Sequence, residues 1–207
     1  MSRTLDTRTG SAVGDLVREL ERLSDRTPMQ FADAVDELLR GVRLDPASLA
    51  RYAFFSERHY TRNLIFKNAM FEMLTLCWWP GQKSSIHNHR DQRCWMLVSE
   101  GALENQNYRV TRRDPATKTC EIEETSRCLI KRDQPLAVDM DEPVHQIRNG
   151  EELGGRAMSI HIYSRPFDTC EVYCPERKIY KDIQLTYWSV DGKVVAPGAP
   201  VDPCQPT

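Results

Sequence analysis

Two histidines separated by a single residue are the first feature of this chain that could carry metal chemistry. His87 and His89 lie between Gly81 and Gly101, and residues two apart on a β-strand project to the same face. Both imidazoles could therefore point into a barrel interior and bind one ion. Such a pair also arises by chance, so a metal site needs a further ligand from elsewhere in the chain.

His145 is the best candidate for that ligand. It lies in residues 143–149, a separate predicted strand that could run beside the first; the alternative is a buried histidine bonded to the backbone. Three neutral imidazoles would leave a divalent ion with its full charge and open positions, which favours an anionic, chelating substrate. Iron(II) and zinc both accept such ligands, and both remain open at this point.

The two histidine segments resemble the paired motifs of the cupin superfamily. Those motifs read glycine, five residues, HxH, a spacer, a usually acidic residue, six residues and glycine, and later histidine, three residues and asparagine. The matching positions are Gly81, His87, His89, Gly101, His145 and Asn149. This chain departs from the pattern at Cys94, where most cupins have a glutamate ligand, and lacks the usual glycine before His145.

With Cys94 in that position, the chain resembles the cysteine dioxygenase family from about Tyr60 to Tyr173. The matching segments are 60–63 (YTRN), 84–89 (SSIHNH), 159–164 (SIHIYS) and 166–170 (PFDTC). The resemblance implies that His87, His89 and His145 bind iron(II). It also implies that a small thiol binds through its thiolate and amine, that O2 is the second substrate, and that a sulfinic acid is the product.

The same resemblance assigns roles to two residues near the first strand. Arg62 matches the residue that holds the substrate carboxylate, a task suited to the planar guanidinium fork; composition alone would make it a surface arginine. Relatives acting on 3-mercaptopropionate typically have glutamine there, so L-cysteine is the favoured substrate. Tyr60 is expected as a second phenol near that carboxylate.

Alternation along one predicted strand places Ser159, His161 and Tyr163 on the same face. They could simply be a polar barrel wall; the family resemblance implies a hydrogen-bonded relay with the Tyr163 hydroxyl near the oxygen site. Cys94 and Tyr163 also match the two residues joined by a thioether in animal cysteine dioxygenases. A lone buried cysteine is otherwise a small hydrophobe.

A second departure from the family pattern lies beside this strand. Where the family often reads Tyr-Ser-Pro-Pro, this chain reads Tyr163-Ser-Arg-Pro, with Arg165 in place of a proline. The change could alter local peptide geometry and add a cation near the pocket mouth. A surface location for that charge is the simpler expectation.

The elements that must position these residues are helices followed by strands. Apolar spacing predicts a helix over 13–24, a second from Pro28, capped by Thr27, to Gly41, and a short third helix from Asp45 and Pro46. Predicted strands lie near 60–66, 70–79, 84–89, 94–100, 103–110, 119–125, 128–132, 135–139, 144–149, 156–163, 170–174 and 185–190.

This order predicts a mainly β fold, a cupin-type antiparallel β-barrel or jelly roll with an N-terminal helical segment. Residues 1–10 are expected to be disordered, and residues 11–190 to form a single domain with helices over about 11–52 and a barrel over about 60–190. Residues 191–207 contain several prolines and are expected to form an irregular tail.

Composition limits the partners and the compartment. A formal charge of −2 over 207 residues gives no general attraction to polyanions, so nucleic acid is not an expected partner. No apolar run approaches the length of a membrane span, and we expect a soluble, cytoplasmic monomer. The seven cysteines are an odd number in a chain with no recognisable secretion signal, which predicts reduced thiols.

The leading hypothesis is therefore a thiol dioxygenase that converts L-cysteine and O2 to cysteine sulfinic acid. Within the enzyme class, the alternative is oxidation of another small thiol, such as 3-mercaptopropionate or cysteamine. Outside it, the alternative is a non-catalytic cupin that senses metal or thiol, although the sequence has no recognisable DNA-binding helix pair to transmit a signal.

Overall fold

The computed structural model describes residues 11–132, 134–138, 140–141, 143–195 and 203–204. The N-terminal residues 1–10 and most of the proline-rich tail lie outside the described residues, as do the predictions made for them. Within those ranges no helix is long and apolar enough to cross a membrane. The assignment of residues 11–190 to one domain stays a prediction.

Two α-helices and a 3-10 helix form the N-terminal segment. α1 spans Val13–Leu23, α2 spans Pro28–Gly41, and the 3-10 helix spans Pro46–Tyr52. Thr27 begins α2 with a capping box: its side chain accepts from the Gln30 backbone N–H, and the Gln30 side chain accepts from the Thr27 N–H. The helices predicted from apolar spacing and start signals are confirmed.

The remaining elements are β-strands connected by turns. In chain order they are β1 (Thr61–Lys67), β2 (Phe71–Trp78), β3 (Ile86–His87), β4 (Cys94–Glu100), β5 (Ala102–Asp114), β6 (Thr119–Lys131), β7 (Leu136–Ala137), β8 (Val144–Arg148), β9 (Ala157–Ser164), β10 (Thr169–Cys174), β11 (Ile179–Gln184), β12 (Ser189–Val190) and β13 (Lys193–Val194).

The predicted strand near 84–89 is only two residues long, β3, so His89 lies beyond it. Larger differences from the prediction occur in the second half of the chain. The predicted strands 119–125 and 128–132 are one strand, β6, whose residues 123–129 are exposed. The polar residues in the middle of β6 were interpreted as a turn, because the side chains on both faces of the strand are exposed there. β11 was not predicted, since Tyr180 is its only fully buried residue and the apolar alternation is weak. β13 pairs with β12 at the start of the predicted irregular tail, before Pro197.

The strands form two sheets. In the first, the order is β13-β12-β1-β2-β9-β4-β7; in the second, β10-β11-β6-β5-β8-β3 closes on itself, because β3 pairs with both β8 and β10. Neighbouring strands run antiparallel except β1 and β12, which are parallel. The predicted mainly β fold, an antiparallel barrel with N-terminal helices, is confirmed.

The central strands of the first sheet, β2, β9 and β4, have two different faces. Met73 and Trp95 pack with the helices in one buried cluster. Their neighbours Leu74 and Met96 belong to a second cluster inside the barrel. Since side chains alternate along a strand, the same strands support the helical segment on one side and wall the interior on the other.

One motif glycine has a clear conformational reason. Gly101 joins β4 to β5 with φ +73°, a backbone conformation that residues with a Cβ rarely adopt. A Cβ at this position would lie 2.6 Å from the carbonyl oxygen of Arg156. Both the turn and the close approach of the Arg156 backbone therefore require glycine.

The expectation of reduced thiols is wrong for two cysteines. Cys174, at the end of β10, is bonded to Cys204 in the tail, with Cα atoms 5.3 Å apart, within the range that a disulfide spans. Thirty positions separate the two residues, so the sequence contained no local sign of the pair. Among the described residues the other five cysteines are free.

Candidate metal centre

Three histidines meet inside the barrel. His87 on β3 lies directly opposite His145 on β8, and His89 follows β3 by two residues. The ring centroids are 4.7 Å apart for His87 and His145, 4.8 Å for His89 and His145, and 5.0 Å for His87 and His89. One nitrogen of each ring lies within 4.8 Å of those of the other two. The structure thus brings together the three histidines that the spacing singled out.

Hydrogen bonds orient two of the three rings. Nδ1 of His87 lies 2.9 Å from the Ser85 carbonyl oxygen, and Nδ1 of His145 lies 2.7 Å from Oδ1 of Asn105. In both bonds the Nδ1–H donates to an oxygen outside the site, which leaves Nε2 free as a ligand. This is the usual arrangement for metal-binding histidine. Asn105, on β5, was not predicted, because only the tertiary fold brings it to His145.

The remaining ring nitrogens fit a metal ion. Both nitrogens of His89 and Nε2 of His145 are buried and have no hydrogen-bond partner among the described residues. Buried polar atoms without partners are rare and costly. One nitrogen from each of His87, His89 and His145, all within 4.8 Å of one another, makes the donor set that a divalent transition metal uses, so the residues present fit a bound metal.

Burial keeps these imidazoles neutral. Desolvation lowers the pKa of His87 to about 4. It also lowers the pKa of His89 and His145 well below the ordinary value, and the neighbouring histidines, together with Arg62 for His89, further disfavour a second proton-bearing cation there. Neutral imidazole is the form that binds a metal, so no proton has to leave at neutral pH.

A pocket opens beside the histidines. Its wall includes His87, His89, Tyr60, Arg62, Tyr163 and Cys170. Burial raises the pKa of the Cys170 thiol to about 11, mainly by desolvation, so this cysteine stays protonated. The pocket therefore combines metal-ligating, cationic and phenolic groups in one space.

Arg62 is held inside this pocket and is not a surface residue. Its side chain is 14% exposed, and Nε has no hydrogen-bond partner among the described residues. Burial alone would lower its pKa, but Tyr163, Tyr60 and the Glu72 carboxylate together raise it above the ordinary value. The guanidinium is thus charged and has donor capacity left for an anion.

Tyr60 lies on the same side of the pocket, just before β1. Its ring stacks on the indole of Trp78, with centroids 4.5 Å apart and planes 17° apart. Burial raises the pKa of its phenol, so the hydroxyl keeps its proton. Stacking of this kind restrains the ring of a residue that lines the pocket.

The predicted alternation on β9 produces a continuous line of hydrogen-bonding groups. Ser159 Oγ lies 2.9 Å from Nε2 of His161, and Nδ1 of His161 lies 3.4 Å from the Tyr163 hydroxyl. Trp78 extends the line, since its indole N–H donates to Ser159 Oγ at 3.0 Å. Trp78 was not among the site residues predicted from the sequence, because an indole at a strand end gives no sign of its hydrogen-bond partner.

Cys94 faces the same space. It lies directly opposite Tyr163 in the antiparallel pairing of β4 with β9, and opposed residues of such a pair have neighbouring side chains. Cys94 is buried, and burial raises the pKa of its thiol far above the ordinary value. A protonated thiol therefore stands at the position where the cupin motif usually has a glutamate.

A buried carboxylate, that of Glu171, stabilises the outer side of the HxH segment. Asn88, between the two histidines, donates to Glu171 Oε2 at 2.9 Å and accepts from the Glu171 backbone N–H at 3.0 Å. Arg113 holds the same carboxylate with two hydrogen bonds of 2.9 and 2.6 Å. This support for the metal ligands joins three distant parts of the chain and was not predicted.

Arg165 adopts a conformation that proline cannot. Its φ is +54°, and its backbone N–H donates to the Met70 carbonyl at 2.6 Å, whereas proline has no N–H and a fixed negative φ. Its side chain is exposed and lies 3.3 Å from Oε1 of Gln92. The charge of Arg165 thus lies at the surface, as expected.

A jelly-roll barrel whose interior directs three histidines to one point defines a metal-binding cupin. The family model for cysteine dioxygenase type I matches residues 1–176, and the chain belongs to this family. Cysteine dioxygenase type 1 of Rattus norvegicus is 30% identical over 183 residues, covering 87% of this chain and 88% of the relative. The human protein of that name is 28% identical over 181 residues, with the same coverage.

Solved structures were also compared. A cupin from Desulfovibrio desulfuricans aligns with 56% of this chain and 91% of its own, with 15% identity and a TM-score of 0.42. A protein from Thermus thermophilus aligns with 56% of this chain and 93% of its own, with 18% identity and a TM-score of 0.41.

Proposed function

We propose that this chain is a thiol dioxygenase that oxidises L-cysteine with O2 to cysteine sulfinic acid. The observation that carries the proposal is the position of buried Arg62 in the same pocket as His87 and His89. A metal site and a separate carboxylate site in one pocket suit a small thiol that also bears a carboxylate. Family membership supports the same reaction.

Iron(II), bound by His87, His89 and His145, is the metal that this proposal requires. When bound, it would stabilise the substrate sulfur as a thiolate and supply the redox chemistry that joins O2 to it. The absence of a carboxylate ligand, with Cys94 in its usual place, leaves the full positive charge of the ion for an anionic substrate. Zinc accepts the same donors but supplies no redox chemistry.

Arg62 and Tyr60 orient the substrate in this scheme. The guanidinium holds the substrate carboxylate with its free donors, and the Tyr60 hydroxyl donates to the same group. Such orientation is the main contribution a protein makes where a cofactor supplies the chemistry. A thiol without a carboxylate would lose both contacts.

The hydrogen-bonded groups Ser159, His161 and Tyr163 on β9 determine where the Tyr163 hydroxyl proton points. Since Trp78 N–H occupies an acceptor site on Ser159, the serine hydroxyl is free to donate to Nε2 of His161. Burial lowers the pKa of His161 to about 3, so the ring is neutral and its single proton is on Nδ1. That N–H donates to the Tyr163 oxygen, and the Tyr163 hydroxyl proton is left to donate into the pocket.

The test is direct. Protein reconstituted anaerobically with iron(II) is supplied with L-cysteine and then O2, and we expect the product to gain two oxygen atoms, about 32 Da. Zinc-loaded protein is the matched control and should yield no such product. Absence of the gain with iron would contradict the proposal.

A thioether between Cys94 and Tyr163 is part of the proposal. Forming it joins sulfur to a ring carbon and removes one hydrogen from each residue, and O2 is the oxidant that accepts the two electrons and two protons. We expect the intact denatured protein to become about 2 Da lighter after repeated turnover. Cys94→Ser should keep its mass under the same conditions; an unchanged wild-type mass would refute the cross-link.

The remaining expectations concern partners and location. We propose that the substrates are a small thiol and O2, that neither nucleic acid nor a membrane is a partner, and that the chain works as a cytoplasmic monomer. The formal charge of −2 supports the absence of polyanion binding. Sedimentation of the purified protein measures the oligomeric state.

A further inference from the structure

A buried carboxylate, that of Glu72, lies 3.7 Å from the guanidinium of Arg62 and is not among the residues that line the pocket. Glu72 is the second residue of β2, is 1% exposed, and stands opposite Tyr163 of β9 in the strand pairing. Strand alternation places it on the interior face, with Leu74 and Leu76. It was not singled out from the sequence, where it is one acidic residue in an otherwise apolar strand.

The hydrogen bonds of Glu72 lead away from Arg62. Its Oε2 accepts from the Tyr187 hydroxyl at 2.6 Å and lies 3.3 Å from Nζ of Lys67. Its Oε1 lies 3.7 Å from Nη2 of Arg62, too far for a hydrogen bond. Glu72 is therefore anchored by Tyr187 and Lys67 and acts on Arg62 through its charge.

The carboxylate of a bound substrate would approach Arg62 from the pocket. The guanidinium would then lie between two carboxylates, one fixed in the protein and one in the ligand. Two like charges on either side of a buried cation repel one another, because little solvent screens them. The charge of Glu72 thus opposes the binding that Arg62 favours.

We propose that Glu72 is a specificity-determining counter-charge, which weakens the hold of Arg62 on carboxylate-bearing thiols. This inference rests on the proposed function in taking a small thiol as the ligand. It concerns only ligands that have a carboxylate. Thiols that lack one, such as cysteamine, do not meet the opposing charge.

The experiment measures dissociation constants without turnover. Iron(II)-loaded protein is titrated anaerobically with L-cysteine and with cysteamine by calorimetry. We expect Glu72→Gln to bind cysteine about tenfold more tightly, as removal of a like charge several ångströms away implies. Cysteamine should change by less than about twofold, because it has no carboxylate to repel.

Two matched variants separate charge from structure. Asp168→Asn removes an equal charge from the other side of Lys67, where Asp168 Oδ1 lies 3.2 Å from Nζ and is largely exposed; it should leave cysteine affinity unchanged, because solvent screens that charge. Tyr187→Phe removes a hydrogen bond to Glu72 and keeps the charge, and it too should leave the affinity unchanged.

The binding results that would contradict the inference are specific. Unchanged or weaker cysteine binding by Glu72→Gln would overturn the inference, as would equal tightening for cysteine and cysteamine. Gln keeps the shape of Glu and can still accept from Tyr187; Glu72→Asp, which withdraws the charge slightly, should show a smaller gain. If the wild type binds cysteine but forms no sulfinate, the proposed function fails while these constants still decide the role of Glu72.

Discussion

Replacing His89 with alanine should abolish thiol oxidation and lower iron(II) affinity by more than about 100-fold, since even partners behind a ligand contribute 10- to 100-fold. His89 is the most informative of the three histidines because neither of its nitrogens has another partner among the described residues. Its removal therefore costs the metal a ligand and costs the protein no hydrogen bond. Metal analysis after dialysis and oxygen-uptake rates measure the two effects.

Thermal unfolding distinguishes this effect from damage to the fold. Without metal, His89→Ala should melt no lower than the wild type, since it removes a buried polar group that lacks a partner. Added iron(II) should raise the melting temperature of the wild type and not that of the variant. His59→Ala is the control: His59 lines the pocket mouth with its ring against Trp188 and should keep its metal. Wild-type iron content in His89→Ala would place the ion elsewhere.

Replacing Arg62 with glutamine should lower kcat/KM for L-cysteine by about 100-fold, the effect expected when one partner of a buried hydrogen-bonded charge pair is lost. The loss should lie mainly in KM, because Arg62 binds a part of the substrate that does not react. Activity with cysteamine, which has no carboxylate, should change little. The preference for cysteine should therefore nearly vanish, as steady-state oxygen uptake with both thiols will reveal.

Arg62→Lys provides the matched control for this experiment. It keeps the positive charge but replaces the planar fork with a single ammonium group, so its kcat/KM for cysteine should lie between those of the wild type and the glutamine variant. If Arg62→Gln retained the wild-type preference for cysteine, the substrate carboxylate would bind elsewhere in the pocket.

The part of the site that depends on strand periodicity was predictable. Ser159, His161 and Tyr163 share a face of β9 because they are two apart, and the HxH spacing brought His87 and His89 to one site although His89 lies beyond the end of β3. The capping pair Thr27 and Pro28 likewise identified the start of α2. In each case the signal was local, so composition and spacing sufficed; the resemblance to a known family then supplied the chemistry.

The groups that support the site were not predictable in this way. Asn105 contacts His145, Trp78 contacts Ser159 and Glu171 contacts Asn88 only because distant strands pair. Each is an ordinary residue in its own segment. Glu72 is hidden for the same reason: a single acidic residue in an apolar strand gives no indication of the cation it will face. The Cys174–Cys204 bond depends on where the tail returns, which no local pattern encodes.

The strands β2, β9 and β4, with the helical segment on one face and the pocket on the other, have a consequence for how such a protein tolerates change over evolution. Substitutions on one face leave the other intact, so packing and specificity can diverge independently. Insertion or deletion of a single residue within these strands would exchange the faces and put catalytic groups against the helices. Insertions and deletions among homologues should therefore occur mainly in the loops between strands, such as the exposed turn at residues 115–118.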